Sequence, residues 1–540
     1  MSVRVMFVVC LMVASMFGTP LVTHSKATAS QPEIVAVYPN PVANEDTGEF
    51  VVISFPRRTN LSTWSLSDGE DIVQLPNATV SGRVTFSTAP SLTENLTEQR
   101  ALQIRNLSLA NDGETVTLRK RAISSVAATI VDSTTYVDAP ESELWRPKNG
   151  SWVPLGATDR PVVHVDSTTA RVFVLPDSPA VPTETLQSAD ERILLAGYSF
   201  ASERIARKLV AAERRGVEVR VLIDDSPVGG ITRQQAIVLD RLSERGIHIE
   251  VIGGPHARYS FHHAKYAVVD GQAMVLTENW KPAGTGGRAS RGWGVVVRGE
   301  SARELAEIFD ADSTWNDTVS WQQFRRGKSF KSEPPANGSF PTRFEPKTLP
   351  VESVSVLSAP DNAEEGVVSL LRSANESIVI QQMAVSGPQQ PFVQATLAAA
   401  RRGVHVRVLL SSAWYVREDN GHLVRWLNER AEEEGLPLQA KLAEPNGYEK
   451  IHAKGVIVDE RHVVVGSLNW NNHSARANRE LALVLHGTQV GNYYTAVFEA
   501  DWGESDDRFP VGLAVVVVLG AAGAVWLGRT EVNVAQSSEF

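Results

Sequence analysis

The stretch HAKYAVVD at residues 263–270 returns as HAKGVIVD at residues 452–459, and this repeat decides the fold. Each copy is followed by a strand-like run that ends in Asn-Trp, at Asn279-Trp280 and at Asn469-Trp470. One His-x-Lys is common by chance, but two copies in matching surroundings indicate an internal duplication. A paired set of His, Lys and Asn side chains is what metal-free cleavage of a phosphodiester needs.

The duplication extends well beyond the motif. Residues 214–222 (RRGVEVRVL) match residues 401–409 (RRGVHVRVL). In each copy we predict a strand, a helix, the matched strand, a second helix and then several strands that carry the motif. Alternation of this kind predicts a mixed or parallel sheet with helices on its faces. The predicted opening strands are 193–198 and 377–382, and the predicted first helices lie near 203–215 and 393–402.

The domain boundaries follow from this reading. We predict one α/β half at residues 160–318 and the second at residues 350–505. Residues 319–349, rich in Pro, Gly, Ser and basic residues, are the predicted linker.

Residues 30–140 have a different pattern, with short alternating apolar runs between turn signals, which is typical of a β-sandwich. The segment resembles a lamin-tail domain. The resemblance implies an immunoglobulin-like sandwich that serves as a spacer or binds an unknown surface partner. It rests on the stretches Gly48–Val51, Trp64–Asp68, Leu109–Gly113 and Val131–Tyr136.

The spacing within the motif predicts where its side chains point. His263 and Lys265 are two residues apart, as are His452 and Lys454, so each pair lies on one face of a strand. The Asp of each motif is seven residues after the His and would point to the opposite face. We therefore predict supporting, structural roles for the aspartates, Asp270 and Asp459.

The next strand is expected to bring further side chains to the same site. Asn279 and Asn469 are the predicted partners of the lysines, with Thr277 and Ser467 as supporting residues. A neutral imidazole would attack phosphorus and form a covalent intermediate, and a second histidine would protonate the leaving oxygen. The lysines and asparagines would bind the non-bridging oxygens. We predict no cofactor and no metal site.

The two copies resemble the phospholipase D superfamily, whose signature is HxKxxxxD followed by Gly-Ser-x-Asn. The resemblance covers roughly residues 160–505. It implies an α/β fold in which two tandem α-β-α halves form one pseudo-twofold unit behind the β-sandwich. It also implies one active site between the halves and a phosphohistidine intermediate.

The second copy is complete, whereas the first departs from the signature. Leu276 stands where Gly is expected, and Thr277 stands where Ser is expected. Asn478-Arg479-Glu480 supplies the carboxylate that often orients a histidine in this family, but Ser290-Arg291-Gly292 stands opposite it without one.

In two-copy members of the family the carboxylate tends to serve the histidine of the other half. Glu480 would then support His263, and His452 would have no partner. We therefore predict that His263 is the nucleophile and that His452 is the general acid.

Composition and the two ends of the chain set the expected location. The single cysteine, Cys10, leaves no disulfide, thiol or Cys-ligated zinc chemistry for the rest of the chain. Residues 1–29 read as a signal peptide with a cleavage site at Ala27-Thr28-Ala29, although an uncleaved anchor is an alternative. Residues 510–528 read as a membrane-spanning helix, with a buried soluble helix as the alternative. We expect a secreted protein held in the cell membrane by this helix, with its catalytic domain outside the cell.

Three functions fit these patterns. The leading one is a surface-anchored phosphodiesterase that acts on phospholipid headgroups or nucleic acid, by hydrolysis or by transfer. The second is an extracellular, metal-independent endonuclease. The net charge of −10, from 62 acidic and 52 basic residues, counts slightly against it because phosphate contacts rely on Lys and Arg. The third is a non-catalytic surface binding protein with a degenerate fold.

Overall fold

The computed structural model describes residues 31–43, 46–97, 99–122, 127–254 and 256–503. Within these ranges a β-sandwich is followed by two α/β halves that share one sheet. The α/β fold with two tandem halves behind a sandwich is confirmed.

The sandwich consists of two sheets with apolar side chains between them. One sheet has the order β10-β9-β1-β2-β5-β6 and the other has the order β4-β3-β7-β8. Ile53, Phe55, Trp64 and Leu118 are buried in the core between them. The elements are β1 (Glu33–Tyr38), β2 (Phe50–Asn60), β3 (Trp64–Ser67), β4 (Ile72–Gln74), β5 (Thr79–Ser87), α1 (Pro90–Thr97), β6 (Ala101–Gln103), β7 (Gly113–Arg121), β8 (Ala128–Val137), β9 (Glu143–Arg146) and β10 (Ser151–Pro154).

The sandwich sheet continues past residue 140, where the sequence reading ended it. The hairpin of β9 and β10 pairs with β1 through Trp145 and Val37. Trp145 packs on Trp152 with ring centroids 5.3 Å apart, and Trp152 contacts Tyr136. These aromatic contacts fasten the hairpin to the sandwich.

The first α/β half begins with a long strand and alternates strands and helices. Its elements are β11 (Val163–Leu175), α2 (Ala180–Gln187), β12 (Arg192–Gly197), α3 (Glu203–Glu213), β13 (Glu218–Asp224), α4 (Arg233–Glu244), β14 (His248–Ile252), β15 (Tyr266–Val269), β16 (Gln272–Leu276), β17 (Ser290–Arg298), α5 (Glu300–Ser313), β18 (Thr318–Ser320) and α6 (Trp321–Arg325).

The second half follows the same order up to its last long helix, with two additions, the short strand β23 and a π-helical turn before β26. Its elements are β19 (Lys347–Ala359), α7 (Ala363–Ser373), β20 (Ser377–Gln382), α8 (Pro391–Arg401), β21 (His405–Leu410), α9 (Arg417–Glu434), β22 (Leu438–Leu442), β23 (Lys450–Ile451), β24 (Lys454–Val458), β25 (His462–Gly466), the π-helical turn (His473–Ala477), β26 (Glu480–His486) and α10 (Thr488–Trp502).

The two halves are joined edge to edge in one sheet. The first half runs β18-β14-β13-β12-β15-β16-β17-β11, and the second runs β19-β26-β25-β24-β20-β21-β22. The long strands β11 and β19 pair antiparallel at the centre. Parallel strands such as β12 and β13 are buried on both faces, and this burial explains their runs of Val, Ile and Leu.

The segments that carry the two histidines also cross between the halves. Lys450-Ile451 in β23 pairs with Ser290-Arg291 in β17, and His262 forms a bridge with Arg479. Each histidine segment therefore lies against the opposite half, at β17 in one case and at the start of β26 in the other.

The region expected to be a linker contributes to the first half at its beginning. Strand β18 pairs with β14 at the sheet edge, and Trp321 at the start of α6 is buried. The sheet of the second half already begins at Lys347. Residues 326–346 connect the two halves without helix or strand.

The helices that the structure describes bear on the expectation of a membrane-anchored protein. In the ranges that the structure describes, no helix is both long and apolar enough to cross a membrane. The longest of these, α9, carries charged residues along its length and is therefore a surface helix of the second half. The picture of a secreted chain anchored by a C-terminal helix is contradicted on this finding. The expected signal peptide at residues 1–29 and the expected span at residues 510–528 lie outside the described residues.

Candidate active site

The two histidines are held by backbone hydrogen bonds from the opposite half. The amide N–H of His263 donates to the carbonyl oxygen of Arg479 at 2.9 Å, and that of His452 donates to the carbonyl oxygen of Arg291 at 2.9 Å. Because these bonds are equivalent, the two motifs face each other across the junction of the halves.

His263 is oriented by a buried carboxylate. Its Nδ1 lies 2.9 Å from Oε2 of Glu480, which is fully buried. Asn478 donates to the other oxygen of Glu480 at 3.2 Å, so the carboxylate is itself fixed. The imidazole packs edge-on against Tyr198 with ring centroids 4.7 Å apart. With Nδ1 engaged, Nε2 is the ring nitrogen available to a substrate.

His452 is oriented by a carbonyl and by a second carboxylate. Its Nδ1 lies 3.0 Å from the carbonyl oxygen of Thr277 and 3.4 Å from Oε2 of Glu278. The prediction that His452 has no carboxylate partner is therefore wrong. Gly292 indeed brings none, but Glu278, two per cent exposed, reaches the same ring from a neighbouring strand end.

Both lysines of the motif are buried beside the histidines. The Lys265 ammonium donates to the carbonyl oxygen of His263 and lies 5.0 Å from the centre of the Tyr198 ring. The Lys454 ammonium donates to the carbonyl oxygen of His452 at 2.8 Å. The two cations with Glu480 and Glu278 form a balanced set of charges around the two rings.

The asparagines and hydroxyl residues after the motif have separate positions. The side-chain oxygens of Asn279 and Asn469 are buried and make no hydrogen bond within the described part of the chain. The hydroxyl of Thr277 accepts from the N–H of Trp293 at 2.9 Å, and that of Ser467 accepts from the N–H of Leu481 at 3.0 Å. The hydroxyls therefore join neighbouring strands, while a phosphate oxygen could be bound by the carboxamides only through their N–H groups.

The two aspartates lie away from the rings, at the ends of β15 and β24. Asp270 accepts from the N–H groups of residues 190, 191 and 192 at 2.8–3.0 Å. Asp459 accepts in the same way from residues 375, 376 and 377. Burial raises the pKa of each carboxyl, but the backbone N–H groups outweigh it and hold the pKa below its ordinary value.

Burial disfavours the charged form of both imidazoles and lowers the pKa of each ring. It lowers the pKa of His263 to about 4 although Glu480 raises it. It lowers the pKa of His452 to about 4 as well, with Lys454 adding to the decrease and Glu278 opposing it. Burial also lowers the pKa of Lys454 to about 8 and that of Lys265 well below its usual range.

This arrangement is suited to nucleophilic and proton-transfer chemistry. A neutral imidazole whose Nδ1–H is donated to a carboxylate, as in His263, or to a carbonyl oxygen, as in His452, presents the lone pair of Nε2 to an electrophile. Two such rings, 12% and 13% exposed at their side chains, are the accessible edge of an otherwise buried ionic cluster. An anionic group entering the cluster would meet two ammonium groups and two carboxamides.

Glu278 is the residue that sequence reasoning missed. It lies between Thr277 and Asn279, where the second copy has the apolar Leu468. A carboxylate in place of a buried apolar side chain was the available signal, together with the missing carboxylate at Gly292.

Comparison with known proteins agrees with the motifs. The family model described as "Cardiolipin synthase, PLD-like domain", where PLD is phospholipase D, matches residues 183–313 and 367–502. This chain belongs to the phospholipase D superfamily.

Similarity to individual members of the phospholipase D superfamily is moderate. A cardiolipin synthase of Oceanobacillus iheyensis is 25% identical over 344 residues, which cover 60% of this chain and 66% of that protein. A mitochondrial cardiolipin hydrolase of Mus musculus is 29% identical over 148 residues, which cover 27% of this chain and 62% of that protein. The chain thus spans slightly less than two thirds of the length of these relatives. The crystal structure of phosphatidylserine synthase of Haemophilus influenzae Rd KW20 aligns with TM-score 0.48 and 14% identity, over 67% of this chain and 96% of that one.

Proposed function

We propose that this protein cleaves or exchanges the headgroup phosphodiester of a phospholipid through a phosphohistidine intermediate. The observation that carries the proposal is the facing pair of histidines, His263 and His452. Each donates Nδ1–H to a fixed acceptor and has a buried lysine beside it. Orientation of this kind leaves Nε2 of each ring for the reaction.

In the first step Nε2 of His263 attacks phosphorus. The bond from phosphorus to the headgroup oxygen breaks, and His452 gives its proton to that oxygen, so the headgroup leaves as an alcohol. Glu480 accepts the Nδ1–H of His263 and stabilises the positive charge that the ring gains. This carboxylate lies closer to its histidine than Glu278 lies to His452, and the difference favours His263 as the nucleophile.

In the second step His452, now neutral, takes a proton from water or from an acceptor alcohol. The oxygen attacks phosphorus, the bond between phosphorus and Nε2 breaks, and His263 is regenerated. Lys265, Lys454, Asn279 and Asn469 bind the non-bridging oxygens and stabilise the charge of both transition states.

The general acid must carry a proton, although burial lowers the pKa of His452. The phosphodiester brings its own negative charge next to the rings, and a nearby anion raises the pKa of an imidazole. Substrate binding would therefore protonate His452 at neutral pH, while His263 stays neutral when its lone pair is directed at phosphorus.

A phospholipid is favoured by the rim of the site. Val228 and Trp414 are 82% and 89% exposed, and both lie on the loops that follow the matched strands β13 and β21. The N–H of Val228 donates to the hydroxyl of Tyr198, whose ring touches His263. On the other side, Tyr415 is next to Trp414. The ammonium of Lys450, two residues before His452, lies 5.3 Å from the centre of the Tyr415 ring.

Exposed apolar side chains on both sides of a polar site are suited to contact with a lipid surface. The names of the relatives, cardiolipin synthase and mitochondrial cardiolipin hydrolase, support the same class of substrate.

The first test uses the full chain in EDTA with phospholipid vesicles, single-stranded DNA and double-stranded DNA as separate substrates. We expect release of the headgroup from vesicles and its loss in His263→Ala and in His452→Ala. His248→Ala, a change at a 60% exposed histidine, is the matched control and should retain activity. Cleavage of DNA alone would show that the substrate is nucleic acid and not phospholipid. No cleavage of any substrate would favour a non-catalytic binding protein.

The rim predicts a difference between lipid in a surface and lipid in solution. Trp414→Ser with Val228→Ser should weaken binding to vesicles at least about a hundredfold, because each apolar side chain contributes roughly 1.5–3 kcal/mol when buried and about 1.4 kcal/mol is a factor of ten. Cleavage of a monomeric short-chain phospholipid should be unchanged. Ile72→Ser, at a 63% exposed residue of the sandwich, is the control. Equal losses on both substrates would contradict a role in surface contact.

A further inference from the structure

Strand β17 of the first half and strand β26 of the second have equivalent hydrogen bonds around Gly292 and Glu480. The residue before each, Arg291 or Arg479, accepts the backbone N–H of the opposite histidine. The N–H of the residue after each donates to the hydroxyl of Thr277 or Ser467. Gly292 and Glu480 therefore occupy the same place in the two halves.

The side chain of Glu278 occupies the space that a side chain at residue 292 would need. A Cβ added to Gly292 would overlap Cγ of Glu278 and would lie 2.6 Å from its Oε1. In the second half the residue equivalent to Glu278 is Leu468, which is buried in the apolar core. The first half therefore combines Glu278 with Gly292, where the second combines Leu468 with Glu480.

The carboxylate of Glu278 also has few stabilising contacts apart from those with the histidine and lysine side chains of the site. Its Oε1 is buried without a hydrogen-bond partner among the described residues, and its Oε2 lies 3.4 Å from Nδ1 of His452. A buried carboxylate is costly unless a positive charge compensates it. The charges at hand are the ammonium groups of Lys454 and Lys265 and the imidazolium that His452 forms when it holds a proton.

We propose that Glu278 is the positioning residue of His452 and that it replaces, from a different strand end, the carboxylate that Gly292 lacks. Its effect on turnover rests on the proposed function, whereas its effect on the His452 ring does not. Together with the carbonyl oxygen of Thr277, which lies 3.0 Å from Nδ1, Glu278 would hold the ring. Its charge would stabilise the imidazolium whenever His452 holds the proton that it gives to the leaving alcohol or takes from the attacking oxygen. The first half then differs from the family signature in where its carboxylate is placed, at Glu278 instead of at Gly292, and it has not lost that carboxylate.

The exchange can be reversed in the full chain. Glu278→Leu introduces into the first half the apolar residue that the second half has at Leu468. Gly292→Glu introduces the carboxylate that the second half has at Glu480, and the double variant combines the two changes. Glu278→Gln keeps the shape and removes the charge. Thermal unfolding identifies the variants that fold, and Gly292→Glu alone is expected to be destabilised because it collides with Glu278.

The primary measurement is the titration of the His452 imidazole by NMR of the 15N-histidine-labelled chain, with inorganic phosphate bound at the site. His452→Gln identifies the signal. Glu278→Leu and Glu278→Gln should each lower the titration midpoint by about one pH unit, because an adjacent carboxylate favours the imidazolium. The double variant should restore the midpoint. An unchanged midpoint in Glu278→Gln, or no restoration in a folded double variant, would overturn the proposal.

Turnover provides the second measurement. On the substrate that the wild type cleaves, Glu278→Leu should lower kcat roughly a hundredfold with little change in KM, and the double variant should regain most of it. If the wild type cleaves nothing while the midpoint moves as expected, the proposed function fails and the positioning role stands. If the wild type cleaves and the midpoint does not move, the positioning role fails alone.

Discussion

At the scale of single residues, the carboxylate behind His263 is the clearest place to separate catalysis from binding. Glu480→Gln keeps the shape of the side chain but removes the charge that stabilises the His263 imidazolium. We expect kcat to fall at least tenfold while the affinity for inorganic phosphate changes less, because the charge on His263 develops only during the reaction. Single-turnover kinetics and phosphate binding measure the two effects.

Glu449 offers a matched control for that experiment. It is an exposed carboxylate close to the second histidine segment, three residues before His452. Glu449→Gln should leave both quantities close to wild type. Equal losses of turnover and binding in Glu480→Gln would remove the case for His263 as the nucleophile.

The buried histidines also predict how stability depends on pH. In the folded protein His263 and His452 each have a pKa of about 4, below the ordinary value of 6.5. Between these values the unfolded chain binds more protons than the folded chain, so the free energy of unfolding decreases as the pH falls from 6.5 to 4.

Replacing both histidines by Gln removes this contribution. Between pH 6.5 and pH 4.5 the double variant should lose less stability than the wild type, as measured by urea denaturation at each pH. His486, whose pKa burial also lowers to about 4, is present in both proteins and forms a shared background. Parallel curves would contradict neutral imidazoles in the folded site.

At the scale of secondary-structure elements, the aspartate of each motif ties the end of one strand to the beginning of another. Asp459 ends β24 with a φ of 52° and accepts three backbone N–H groups in front of β20. Asp459→Ala should lower the free energy of unfolding by roughly 2 kcal/mol, because hydrogen bonds to a charged group are lost.

Asp459→Asn separates the two causes of that loss. Asn tolerates the left-handed backbone conformation but accepts hydrogen bonds without a charge, so we expect a smaller decrease. Chemical denaturation of both variants is the measurement. A decrease that is equal in the two variants would assign the whole effect to the charge.

Strand pairing also explains why the first half tolerates a departure from its signature. Leu276 lies opposite Gly294 on β17, whereas Gly466 lies opposite Ala482 on β26. A large side chain therefore faces a glycine in one half, and a glycine faces a larger residue in the other. The same kind of exchange relates Glu278 and Gly292 to Leu468 and Glu480.

At the scale of the whole molecule, two buried arginines join the halves. Arg479 bonds Asp312 of the first half at 3.1 Å and Asp361 of the second at 2.8 Å. Arg291 makes the equivalent contacts, with Asp177 in its own half and Asp501 in the other. The carbonyl oxygens of both arginines hold the histidine segments, so the junction and the site depend on the same residues.

Arg479→Met should destabilise the protein by about 3–5 kcal/mol, because two aspartates remain buried without their partner. Arg171→Met provides the control, since Arg171 pairs with Glu184 at the surface and such pairs contribute about 0–1 kcal/mol. Denaturation followed by tryptophan fluorescence compares the two. Similar effects would mean that the buried ion pairs do not hold the halves together.

The sequence by itself was sufficient to predict the duplication, the alternation of strands and helices, and the strand face that each His shares with its Lys. These features depend on local periodicity, which is present in the order of the residues. The contact of His263 with Glu480 was reachable only by resemblance to a family, because 217 residues separate the two. The expected C-terminal anchor, inferred from an apolar run alone, did not hold.

Only the tertiary structure decided that His452 has a carboxylate of its own. Glu278 reaches that ring because the docking of the halves brings the end of β16 against the second histidine segment, and because Gly292 leaves room for its side chain. Neither condition has a local signature. A charge compensated across an interface depends on which surfaces meet, and that is a property of the packed molecule.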